Sequence, residues 1–151
     1  MQTSSRLLIT RRAALAGAAA LLTVRPAFGT PESLAAAIRD FTGGVEPQSG
    51  GVILDLPPLV ENGNSVSVTV RMDSPMTPED HVQALALFTE RNPQPNVAIF
   101  HLGPRSGRAI ATTRMRLATS QTVIALAKTS DGRIWRDQVE VIVTLAACVE
   151  G

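Results

Sequence analysis

The sequence holds a single cysteine, two histidines, no tyrosine, one tryptophan and four phenylalanines in 151 residues. Each shortage excludes something. One thiol cannot close an internal disulfide, so the fold must stand on its hydrophobic core. Without tyrosine there is no tyrosine corner, and without a cysteine pair there is no bridge between sheets. Past residue 29 the aromatics are Phe41, Phe88, Phe100 and Trp135, too few for a platform that stacks nucleic-acid bases. The histidines, His81 and His101, fall in separate predicted segments with no ligand spacing around either. They read as surface or hydrogen-bonded residues rather than as metal ligands. No serine–histidine–acid set and no phosphate-cradling loop is present. Asp73, Glu79 and Asp80 cluster in a turn-rich connection that suits solvation better than acid–base work. No catalytic residue, metal site or cofactor is assigned.

Long apolar runs are also scarce. The one at the front, Ala13–Val24, follows the pair Arg11-Arg12 and falls well short of the ~20 residues that cross a bilayer. With its charged approach and the small residues Ala27 and Gly29, it reads as an export signal cleaved after Gly29. The adjacent arginines point to the twin-arginine route and a periplasmic destination. An ordinary secretory signal with a chance arginine pair, or an uncleaved anchor, are the other readings; no membrane anchor is expected in the mature protein. Four of the 14 basic residues (Arg6, Arg11, Arg12 and Arg25) precede residue 30 and all 13 acidic residues follow it, so the remainder has a net charge of −3. A mildly acidic domain lacks the electrostatic footprint of a nucleic-acid binder.

What remains suffices for one domain with one core. "TPESLAAAIRDFTGG" predicts a helix: Thr30 caps, Pro31 suits the first turn, and Gly43-Gly44 stop it. Leu34, Ile38 and Phe41 share one face. Short runs divided by turn residues follow. "VILDLPPLV" reads as an edge or bent strand because of Pro57-Pro58. "NGN" at 62–64 marks a turn. In "SVSVTVRM", Val66, Val68 and Val70 take one face, and Ser65, Ser67, Thr69 and Arg71 the other. "HVQALALFTE", where His81, Leu85 and Leu87 also suit a helix, is the most ambiguous segment. "NVAIFHLG", "RAIATTRMRL" and "QTVIALAKT" are further strands, "SDGR" at 130–133 a tight turn, and "IWRDQVEVIVTL" the last strand, ending near Leu145. About seven strands at this spacing predict an all-β, immunoglobulin-like antiparallel β-sandwich preceded by a short helix. Arg114 and Arg116, with Arg108 nearby, form either an anion patch or a solvated outer face over inward Met115 and Leu117. Arg105, Arg133 and Arg136 carry no reading beyond surface charge.

The organisation expected is therefore a signal over 1–29, a helix and sandwich over 30–145, and a mobile arm over 146–151. Cys148 sits on that arm about three residues past the last strand, a reach of roughly 10 Å if extended. An odd cysteine in an exported protein suggests a reactive thiol or pairing with another molecule. "CVEG" stands where a prenylation box would, but Glu150 suits it poorly and an exported chain does not meet that machinery.

The blocks "LPPLVENGNSVSVTV" (56–70), "DSPMTPEDHV" (73–82), "NPQPNVAIFHLGP" (92–104), "SGRAIATTRMRLATSQTVIALAKTSDG" (106–132) and "VTLAAC" (143–148), in this order, resemble the SoxY family of the periplasmic sulfur-oxidising system. The resemblance implies a non-catalytic carrier that pairs with a SoxZ-like subunit. In the family a cysteine near the carboxyl terminus holds the sulfur substrate covalently, and the matching position is Cys148. Partner enzymes, namely a c-type cytochrome, a sulfate-thiol hydrolase and a sulfane dehydrogenase, would load, hydrolyse and oxidise the adduct. The family's tip is Gly-Gly-Cys-Gly-Gly. Here Ala146 and Ala147 precede the cysteine and Val149 and Glu150 follow, with Gly151 alone retained. Alanine and valine restrict the backbone where glycine does not. Glu150 disfavours a thiolate and repels anions. Two other readings stay open: a binding or structural subunit whose divergent arm no longer loads substrate, and a redox sensor that dimerises through Cys148.

Overall fold

The computed structural model describes residues 28–147. The segment read as an export signal therefore lies outside the described residues apart from Phe28 and Gly29, as do Cys148, Val149, Glu150 and Gly151.

Helix α1 spans Pro31–Thr42, with the ends expected. Thr30 Oγ1 accepts the Ser33 N–H at 3.2 Å, and Ser33 Oγ accepts the Thr30 N–H at 3.0 Å. A reciprocal cap of this kind is worth about 1 kcal/mol. Gly43 ends the helix at φ 64, and its N–H bonds the Arg39 carbonyl. Glycine reaches that left-handed conformation without a Cβ penalty.

Nine strands follow among the described residues: β1 (Gln48–Ser49), β2 (Val52–Asp55), β3 (Leu59–Asn62), β4 (Val66–Met72), β5 (Val82–Thr89), β6 (Asn96–His101), β7 (Ala109–Met115), β8 (Gln121–Thr129) and β9 (Ile134–Leu145). One sheet has the order β1-β9-β8-β5-β6, with β3 also paired to β9, and the other the order β2-β4-β7. The two sheets form the expected sandwich. Pairing is antiparallel except for β1 and β3, each of which runs parallel to β9.

The segment read as one bent strand is two strands in different sheets. Proline cannot donate to a ladder. The chain leaves the small sheet at Asp55, passes Pro57-Pro58 and joins the large sheet at Leu59. The turn at Asn62–Asn64, with Asn62 Oδ1 accepting the Asn64 N–H at 2.9 Å, then returns it to the small sheet. It is a switch between sheets and not a hairpin.

Strand β4 alternates as read: Val66, Val68 and Val70 are buried, and Ser67 and Arg71 are exposed. Strands β5 and β8 do not alternate, because both of their faces are covered. Val82, Leu85 and Leu87 of β5 and Val123, Ala125 and Ala127 of β8 join the core between the sheets. Ala86, Phe88, Ile124 and Leu126, with Ile134, form a second core beneath Leu34, Ala37, Ile38 and Phe41 of α1. Two-sided burial erases the period of two, which is why the β5 segment also suited a helix. The Phe41 and Phe88 rings meet edge to face, 6.0 Å apart. Pairs of this kind add about 1 kcal/mol beyond their buried area.

The arginines follow the solvated-face reading. Arg108, Arg114 and Arg116 are exposed, while Met115 and Leu117 are buried. His81 lies just before β5, its ring Nδ1 donating to the Thr77 carbonyl at 3.0 Å, and His101 is exposed at the end of β6. No group of three or more His, Cys, Asp or Glu residues is gathered among the described residues.

Candidate functional site at the end of the last strand

Strand β9 delivers the chain to its C-terminal end. Rich in valine and isoleucine, it suits a pleated, half-buried surface. It pairs with β8 as far as Val141 and with β3 beyond, in the register Leu59↔Ile142, Val60↔Val143 and Asn62↔Leu145. The strand ends at Leu145, where the sequence placed its end.

Of the next two residues, only the second is docked on the sandwich. Ala146 is exposed, but Ala147 is only 6% exposed and held by a backbone hydrogen bond. Ala147 N–H donates to Leu117 O at 3.1 Å, Leu117 N–H to Gly63 O at 2.8 Å, and Gly63 N–H to Leu145 O at 2.8 Å. These bonds stitch the β3–β4 turn, the loop after β7 and the C-terminal segment together. Each contributes about 1 kcal/mol net, and the buried Ala147 methyl roughly 0.8 kcal/mol. The sequence predicts an arm that begins at Ala146. Ala147 instead stays on the sandwich, because its N–H finds a carbonyl and its methyl a dry site.

Gly63 is required here by close approach. A Cβ at this position would collide with Leu117 O, and would lie 3.0 Å from Ala147 N and 3.1 Å from Val143 Cγ1.

Leu117 is fully buried and sits on a platform built by two amides. Gln121 is 3% exposed. Its Oε1 accepts the Arg91 and Asn92 N–H groups at 2.8 and 3.1 Å, and its Nε2 donates to Asn92 Oδ1 at 2.8 Å and to Thr119 O at 3.1 Å. Asn92 Nδ2 donates to Arg116 O at 2.8 Å, and Asn92 Oδ1 accepts the Ala118 N–H at 3.0 Å. Ser120 Oγ accepts the Val143 N–H at 2.9 Å, tying the same loop to β9. The sequence reads Gly63 only as part of a turn and marks no role for Asn92, Ser120 or Gln121. The available signal was Gln121, a polar residue heading the apolar run "QTVIALAKT".

The opposite end of β9 is a polar surface turn. Asp131 is held down to about 2 by the hydrogen bond from Thr129 Oγ1, then by the Arg133 backbone N–H and guanidinium. Gly132 provides the φ of 84 that this turn needs.

The fold recurs in superoxide reductases. The chain shares 15% identity with that of Ignicoccus hospitalis, at a TM-score of 0.56 over 62% of this chain and 80% of that one. With the superoxide reductase of Nanoarchaeum equitans the values are 14% and 0.53, over 64% and 99%. At these identities only the fold is shared. No curated protein sequence matches the chain. The sulfur carrier protein SoxY from Chlorobium limicola f. thiosulfatophilum is 28% identical, with a TM-score of 0.63 over 74% of this chain and 92% of that one. The family model for sulfur oxidation protein SoxY matches residues 38–148, from the middle of α1 to the cysteine itself. With most of its length matched by that family model, this chain belongs to the SoxY family of sulfur oxidation proteins.

Proposed function

We propose that this protein carries sulfur intermediates covalently on Cys148 during periplasmic thiosulfate oxidation, as a non-catalytic subunit paired with a SoxZ-like partner. The observation that carries this reading is the family match, whose last residue is Cys148. The Chlorobium relative, described as a sulfur carrier protein, supports it. So does the cysteine count, since a lone thiol is free of any internal disulfide. Leu59 and Ile142, register partners that are 59% and 58% exposed, offer apolar surface suited to a partner beside the C-terminal end.

The Cys148 thiol loses its proton and bonds to the sulfane sulfur of thiosulfate, and two electrons pass to an oxidant of the c-type cytochrome class. Water then cleaves the bond between that sulfane sulfur and the sulfonate. Sulfate and two protons are released, and a persulfide anion stays on the cysteine. A sulfane dehydrogenase would oxidise that sulfur further. Exchange of this type favours an exposed sulfur with thiolate character.

A second reading, a binding subunit that no longer loads substrate, is favoured by the tip: Glu150 stands near the thiol in sequence, and Ala147 is docked on the sandwich. Intact mass of the protein taken from its native periplasm during growth on thiosulfate separates the two. The carrier reading expects a reductant-sensitive gain of sulfur or thiosulfate that disappears in Cys148→Ser, together with loss of thiosulfate oxidation. A bare mass throughout growth on thiosulfate, with Cys148→Ser fully functional, would establish the binding subunit instead.

A further inference from the structure

We propose that Ala147 anchors the root of the C-terminal segment on Gly63 and Leu117, so that Cys148 is presented one residue past a fixed point and not on an arm free from residue 146. This inference rests on the carrier reading for its biological meaning but on separate observations for its geometry.

Three features carry it. Ala147 is buried although the strand before it has ended and Ala146 is exposed. Its N–H donates to Leu117 O, and Leu117 in turn donates to Gly63 O. Gly63 leaves no room for a Cβ between Leu117 O and Ala147 N, so the close approach depends on its being glycine. The platform is itself rigidly made, because Gln121 and Asn92 bind the chain on both sides of Leu117.

Alanine matters at position 147 because of its methyl. Glycine there would keep the N–H but lose the buried group, and would gain backbone freedom. An anchored root shortens the thiol's reach and reduces the conformational freedom lost when a partner receives it. Ala147 and Gly63 are thus positioning residues, Ala147 through its N–H and its methyl and Gly63 through the room left by its missing Cβ.

The test uses the full chain, with a nitroxide attached to Cys148, its single cysteine, and amide hydrogen exchange read in parallel. In the native protein the Ala147 amide exchanges at least about tenfold slower than in an unstructured peptide. The label shows restricted motion. Gly63→Ala and the milder Ala147→Gly each remove most of that protection and sharpen the label spectrum, while amides of Val82–Thr89 stay protected as evidence of an intact fold. A native Ala147 amide that exchanges freely, or a label equally mobile in native protein and Ala147→Gly, overturns the anchor. Mass analysis of thiosulfate loading keeps the two ideas apart. A restricted label on a protein that never takes up sulfur supports the anchor and removes the carrier; sulfur uptake with a freely moving native label does the reverse.

Discussion

Two regions of this molecule hold the chain by different physics. Beneath α1, the side chains of Ala86, Phe88, Ile124, Leu126 and Ile134 meet an apolar helix face, and their stabilisation comes from area removed from water. Where β9 ends, Ala147 contributes one methyl, and the surrounding segments are joined by backbone and amide hydrogen bonds. Apolar contacts are non-directional and tolerate small shifts of a neighbour. The hydrogen-bonded end does not, because a donor or acceptor that loses its partner inside the protein bears the full cost of desolvation. The helix-covered face therefore contributes bulk stability, and the C-terminal end contributes position.

The largest expected effect tests the apolar side. Phe88→Ala should cost about 3–5 kcal/mol, because a fully buried ring that packs on Phe41 leaves a cavity. Urea unfolding followed by tryptophan fluorescence of Trp135 measures it. A loss below about 1 kcal/mol would mean that α1 collapses into the space and that this face is less tightly packed than described.

Gln121→Ala should cost less, about 1–3 kcal/mol, since it strands the Arg91 and Asn92 N–H groups and releases Asn92. Its distinguishing mark is local: the Ala118 amide, bonded to Asn92, should exchange faster while Val82–Thr89 stay protected. Equal loosening of β5 would erase the contrast between the two regions.

The smallest effect belongs to the exposed turn at the other end of β9. Asp131 has a folded-state pKa depressed to about 2, below the ~3.9 of an unfolded aspartate. Its contribution is thus present above pH ~4 and is lost as the pH falls through about 2. Asp131→Asn lacks this component. Its melting temperature should fall less steeply than the native one between pH 4 and pH 2, as calorimetry would record. Parallel curves would show that the turn adds nothing, leaving buried polar contacts as the ones that count.

Much of the fold was legible because its signals are local. Thr30, Pro31 and Gly43 delimit α1 through capping and left-handed geometry, which neighbouring residues decide. The alternation of Val66, Val68 and Val70 announced a strand with one buried face. Strand β5 was ambiguous for a non-local reason, since its second buried face exists only once α1 lies across it. Pro57-Pro58 revealed a break but not that β2 and β3 would join different sheets. The parallel pairing of β3 with β9 joins residues more than eighty positions apart, and no local pattern records it. The candidate site divides in the same way. Cys148 stood out by being alone, and the sequence blocks around the domain resembled the family that the comparison then matched. The anchor behind it was invisible, because Gly63 read as an ordinary turn glycine and Ala147 as part of a tail.

By itself, then, the amino-acid sequence determined the helix and its ends, the sandwich class, the family and the position of the one thiol. All of these follow from local conformational preference, periodicity or residue identity. Only the tertiary structure decided which strands share a sheet, why β5 and β8 are apolar throughout, and that Ala147 is seated against Leu117 beside Gly63. Those outcomes depend on distant segments arriving within hydrogen-bonding and van der Waals distance, and that proximity is a property of the folded chain.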